Sequence, residues 1–101
     1  MRLYVAGPVT GVEDDQAAFA SAAARLRAAG YDVCDPAGLA RPDGRAQDSE
    51  WVAWMRTTTR MLTICDGVAL LPGWERSRGA VVEADWARAV GLPVRGLEEW
   101  L

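Results

Sequence analysis

DGVALLPGWERSRGAVVEADWARAVG, residues 66–91, is the stretch that decides how this chain folds. Asp66 to Leu71 is an apolar run ended by Pro72 and Gly73, which predicts a buried strand feeding a loop. The periodic segment after Gly79 predicts a helix. At about 100° per residue, Gly79, Trp86, Ala87 and Val90 share one face, Asp85 and Arg88 lie opposite, and Glu83 falls among the apolar group. A carboxylate there is expensive unless it is paired, protonated or functional. It also sits near a helix start at the carboxyl end of a strand, where open α/β sheets place their ligands. The plainer alternative is a Glu at the stripe's edge that reaches solvent past Ala87.

Outward from that block, strand and helix patterns alternate. Leu3 to Ala6 is a short apolar strand that breaks into Gly7, Pro8, Val9, Thr10 and Gly11. Glu13, Asp14 and Asp15 suit a helix start, Phe19, Ala22, Ala23 and Leu26 follow at core-facing spacing, and Gly30 is the stop. Tyr31 to Cys34 is a second strand, closed by Asp35 and Pro36. Residues 37–47, with Gly38, Pro42 and Gly44, predict an exposed loop long enough to cover a site. Asp48 or Ser49 caps a helix whose stripe is Trp51, Trp54, Met55, Thr58, Met61 and Leu62. A last short strand near Pro93 to Arg95 precedes a tail ending Glu98, Glu99, Trp100, Leu101. Alternation with short turns implies a parallel sheet of four to five strands with helices on both faces, in one domain over residues 1–101.

The composition of the 101 residues narrows the chemistry. There is no His, and all 11 cations are Arg. This removes Ser-His-Asp and Cys-His pairs, His-ligated zinc, Schiff-base lysines and the Walker A lysine. Carboxylates, Tyr, Arg, hydroxyls, Cys34 and Cys65 remain. The two Cys lie far apart and form no CxxC pair, so they suggest reduced core thiols rather than a redox motif or a zinc site. A net charge of −3 without a basic block argues against polymeric nucleic acid but leaves room for a local anion site. No apolar run approaches the roughly 20 residues of a membrane span, and no signal-peptide layout is present, so a soluble, cytoplasmic protein is expected. Five Trp in so small a unit suggest that some are buried between subunits.

In a parallel sheet the strand-to-helix loops converge on one edge, here Gly7 to Gly11, Asp35 to Asp48 and Pro72 to Gly79. Tyr4 and Asp66 are placed on or beside the strands that support that edge. GPVTG alone is neither GxGxxG nor a P-loop and reads first as a plain tight turn. Ser77, Arg76, Arg78 and Gly79 at a helix start suit an anion such as phosphate, although Ser77 also serves as an ordinary N-cap. Asp66 can cap the turn around Thr63, and Tyr4 can be a core residue with its hydroxyl at the sheet edge. Trp51 and Trp54 read as core or subunit-interface groups.

Together, LYVAGPVTG, CDGVALLPG and SRGAVVEADWARAVGLPV resemble the nucleoside 2-deoxyribosyltransferase superfamily, and most closely its small DUF4406 branch, over nearly the whole chain. Ser77 to Gly91 is the most specific block: Glu83 falls four residues after Gly79 and eight before Gly91, as the family's nucleophilic Glu does. The resemblance implies a flavodoxin-like fold and cleavage of the N-glycosidic bond of deoxynucleosides or deoxynucleotides through a glycosyl-enzyme ester. It implies that Glu83 attacks C1′, that Tyr4 orients Glu83, and that Asp66 holds or protonates the leaving base, with no metal or organic cofactor. Gly7, Pro8, Thr10, Gly11, Pro72, Gly73, Ser77, Arg78 and Gly79 would line the substrate site.

Six residues before the nucleophile, transferases of free nucleosides resemble one another in carrying Asp, whereas 2′-deoxynucleoside 5′-monophosphate N-hydrolases carry a phosphate-contacting Ser. Ser77 occupies that position here, between two arginines, which favours a nucleotide. Two departures stand against this. Pro8 replaces a phosphate-contacting Ser of those hydrolases, and Val81 replaces a glycine expected two residues before Glu83. In both branches a neighbouring subunit completes the pocket, which implies a homodimer with contacts through the second helix or the Trp100 tail. The expected activity is hydrolysis of a deoxynucleoside 5′-monophosphate. The alternatives are deoxyribosyl transfer between bases and a non-catalytic nucleotide-sensing module.

Overall fold

A computed structural model describes residues 1–8, 13–36 and 48–101. Strands β1 (Arg2–Ala6), β2 (Asp32–Cys34), β3 (Gly67–Leu70) and β4 (Val94–Gly96) alternate with helices α1 (Glu13–Ala28), α2 (Asp48–Thr63), α3 (Arg78–Ala89) and α4 (Leu97–Trp100). All strand pairings are parallel, in the order β2-β1-β3-β4. The two central strands, LYVA and GVAL, are buried on both faces, which is why they read as unbroken apolar runs rather than as alternation.

Each sheet face carries its own apolar layer. Leu3, Val5, Ala69 and Leu71 meet Phe19, Ala22 and Leu26 of α1 and Leu97 and Trp100 of α4. Tyr4, Ala6, Val68 and Leu70 meet Leu62 of α2 and Ala80, Ala84 and Ala87 of α3. The result is a three-layer sandwich of the flavodoxin type. Helix α1 ends where Gly30 adopts a φ of 99°, and the Tyr31 N–H reaches back to the Leu26 carbonyl at 3.1 Å. That left-handed step favours a residue without Cβ, so the sequence stop and the structural stop coincide. The loop at 37–47 lies outside the described residues, as do the side chains of Asp48 and Ser49 on which the expected cap rests.

Two expectations change. The third helix begins at Arg78, one residue before Gly79, and buries Ala80, Glu83, Ala84 and Ala87. Val90 is its C-cap, lying beyond the last turn and 55% exposed, so it does not belong to the buried stripe. The Trp100 side chain of the tail is buried within its own subunit. The tail forms α4, and the Trp100 indole packs into the α1 side of the sheet, donating to the Val68 carbonyl at 2.9 Å. Tyr31 meets it edge-on at 5.9 Å and donates its hydroxyl to the Trp100 carbonyl at 3.0 Å. Gly67 makes room, since a Cβ there would lie 2.9 Å from the indole. Trp100→Ala should therefore destabilise the fold by about 3–5 kcal/mol, read as a lower urea midpoint by circular dichroism.

Candidate functional site

Helices α2 and α3 both run antiparallel to the strands, so their first turns lie at the carboxyl edge of the sheet, beside the ends of β1 and β3. The buried stripe of α3 is made of alanines apart from Glu83, and such small side chains let the helix lie close to β1. Gly79 extends this closeness to α2, because a Cβ there would stand 3.0 Å from the Met55 sulfur. This glycine serves helix packing first, where the sequence suggested backbone approach to a ligand. One turn further along each helix, Thr58 and Glu83 come opposite one another, 1% and 6% exposed.

There the Tyr4 hydroxyl donates to Glu83 Oε2 at 2.5 Å, in a buried contact between residues 79 positions apart. Burial pushes the Glu83 carboxyl above its ordinary value of 4.5, and hydrogen bonds from Tyr4 and Thr58 pull it part of the way back. Burial first, and then the Glu83 charge, push the Tyr4 phenol far up, so Tyr4 stays protonated and acts as the donor. Glu83 thus stands in the apolar layer and not at its solvent edge. Thr58, which the sequence suggested only as a stripe residue, is the third member of the cluster. Its signal was a hydroxyl at a core position of α2, four residues before the buried Leu62.

The loop after β3 turns at Gly73, whose φ of 86° suits a residue without Cβ, and runs through one 3-10 turn at Trp74–Arg76. The Arg76 guanidinium folds back over Gly73, within 2.6 Å of where a Cβ would be, and Pro8 flanks the same spot. Ser77 is the N-cap of α3, its hydroxyl oxygen accepting the Ala80 N–H at 3.2 Å. Its proton remains available for donation. Arg78 lies over the Trp51 ring at 3.9 Å. Gly7 and Pro72 bound the same edge: a Cβ on Gly7 would strike Leu71, the residue before Pro72. Thr10 and Gly11 lie outside the described residues.

Asp66 is the correction. It precedes β3 and so lies at the amino edge of the sheet, not beside the loops. Its carboxylate accepts the Arg2 N–H at 2.8 Å, and its own N–H donates to the Arg2 carbonyl at 2.7 Å. Strand direction makes the difference, since Tyr4 pairs with Val68, two residues further into β3. Asp66 clamps the start of β1 against β3, whereas Tyr4, Thr58 and Glu83 meet.

A family model described as "Domain of unknown function (DUF4406)" matches residues 1–95. No curated protein matches the chain. Among the described residues, no group of three or more acidic, Cys or His residues is arranged to hold a metal. None of the described helices is long and apolar enough to cross a membrane.

The direction of the Glu83 shift sets a pH signature. Because the folded-state value lies above the unfolded one, stability from the protonated carboxyl is present below the unfolded value and lost as pH rises through the folded value. Glu83→Gln cannot ionise, so it should unfold at a higher urea concentration than the wild type at pH 7.5. The gap should narrow as pH is lowered towards 4.5, when compared in parallel urea titrations.

Proposed function

The chain belongs to the DUF4406 family, and from its site we propose an N-glycosidase that hydrolyses a 2′-deoxynucleoside 5′-monophosphate to free base and deoxyribose 5-phosphate. The observation that carries this reading is the buried Glu83 carboxyl held by the Tyr4 hydroxyl at 2.5 Å. An acid in an apolar layer, oriented by a donor that does not ionise, is the equipment of a carboxylate nucleophile. In the proposed reaction one Glu83 oxygen is fixed by Tyr4, the other attacks C1′, the base departs, and water cleaves the resulting ester. Protonation of the base is assigned to solvent, because Asp66 is engaged with Arg2 at the other end of the strand.

Ser77, with Arg76 and Arg78, supports a phosphate-bearing substrate: each offers donors at the start of α3, whose dipole also favours an anion. We read the protein as soluble and cytoplasmic, needing no metal or organic cofactor. We also read it as a homodimer. With Trp100 committed to its own core, the outer face of α2, where Trp51, Val52 and Met55 border a groove of about 410 Å³ together with Val82 of α3, is the favoured contact.

A second reading has one observation in its favour. A nucleotide-sensing module needs no acid for the leaving base, and Asp66 stands away from Glu83. Incubation with dCMP or dGMP, with and without an acceptor base, separates the readings. Hydrolysis predicts free base without acceptor and a loss of at least about 10³-fold in turnover for Glu83→Gln with nucleotide binding retained. Product only with acceptor would make the protein a transferase. Binding without turnover on any deoxynucleotide or deoxynucleoside would make it a sensor.

A further inference from the structure

Cys34 and Cys65 form no sequence motif, yet the fold brings them together. Cys34 ends β2 and is the register partner of Tyr4. Cys65 follows α2, and its buried thiol donates to the Met61 carbonyl at 3.3 Å. Cys34 packs on the apolar layer that holds Cys65 and Tyr4, and its thiol is near enough to help hold the Cys65 thiol above its usual value. Neither is in a disulfide.

We propose that Cys34 and Cys65 are an oxidisable thiol pair, closing reversibly to an intramolecular disulfide that staples the edge strand β2 to the end of α2. The two positions are unequal in a way that orders the chemistry. Cys34 is half-buried and meets the oxidant first, whereas burial pushes the Cys65 thiol up to about 12 and keeps it protonated. With a small-molecule disulfide such as oxidised glutathione, the Cys34 thiolate attacks one glutathione sulfur, forming a mixed disulfide and expelling one glutathione thiolate. Cys65 then gives up its proton to that thiolate and attacks Cys34 Sγ, expelling the second glutathione. Two protein thiols are oxidised, and one glutathione disulfide is reduced to two thiols. The closed loop spans all of α2, so the bond tethers the helix that carries Met55 and Thr58 over Glu83.

The test is intact mass after incubating the folded protein, without denaturant, with oxidised glutathione. The expected product is a monomer lighter by two hydrogens, with no glutathione retained, a Cys34–Cys65 peptide in the digest, and full reversal by dithiothreitol. Its thermal midpoint should rise by about 5 °C or more, because the staple constrains the unfolded chain. Cys65→Ser should stop at the mixed disulfide on Cys34. Retained glutathione on the wild type, a crosslink between two chains, or folded protein that stays fully reduced would overturn the proposal. If Cys65→Ser does not fold, the wild-type mass and peptide map decide alone. None of these readouts depends on nucleotide turnover, so this proposal and the glycosidase reading stand or fall separately.

Discussion

One buried carboxyl governs the arrangement of the α2–α3 side of this molecule. Glu83 occupies a helical position where its neighbours are alanines, and leaving such a group unpaired in an apolar layer would cost several kcal/mol. The Tyr4 hydroxyl meets it from the central strand and Thr58 from the adjacent helix. Three elements distant in sequence therefore have to be in place together before the carboxyl is satisfied. The small residues of α3 and the glycine facing Met55 make that closeness possible. Packing and polar satisfaction are here the same constraint, because a wider spacing between helix and sheet would strand the acid.

The parts of this design that were legible in the sequence are those written in local pattern. The apolar runs of β1 and β3, the core spacing of Phe19, Ala22, Ala23 and Leu26, and the stop at Gly30 depend on neighbours a few residues away. So does Glu83, whose misfit with its own helix face is visible without any partner. Features that depend on which ends of which elements meet were not legible. Thr58 looks like any small polar residue in a helical stripe until α3 is laid beside it. The Cys34–Cys65 contact needs the crossover from β2 through α2 to be closed in space. The Trp100 tail looked available to a partner because nothing local announces Gly67 as its seat.

Asp66 is instructive because its misplacement was decidable from strand direction alone. In a parallel sheet the residue that leads a strand lies at the edge opposite the loops that follow the strands. An acid before Gly67 cannot share an edge with Pro72 and Gly73, which come after Leu70. Its two hydrogen bonds with Arg2 give it a structural explanation: they begin the β1–β3 ladder at the end where the strands would otherwise fray. The family motif had suggested a chemical role for a residue whose position in the strand argues for a mechanical one.

The consequence reaches the proposed chemistry. Expelling a base requires charge to be neutralised on the leaving group as well as a nucleophile on C1′, and Asp66 was the expected source of that proton. Under the proposed reaction, the favoured substrates would then be those whose bases leave most readily or accept a proton from water most easily. The burden then shifts to Glu83 itself, where two effects oppose one another. Desolvation makes the carboxylate a better nucleophile but lowers the fraction that is ionised, while the hydroxyls of Tyr4 and Thr58 recover part of that ionisation and take up lone pairs. A site poised in this way rewards donors that fix one carboxylate oxygen and leave the other uncovered. The contact of Tyr4 with Oε2 fixes one of the two. Discrimination among substrates would then rest less on acid assistance than on the arginines and Ser77 at the start of α3, which act on the far end of the sugar.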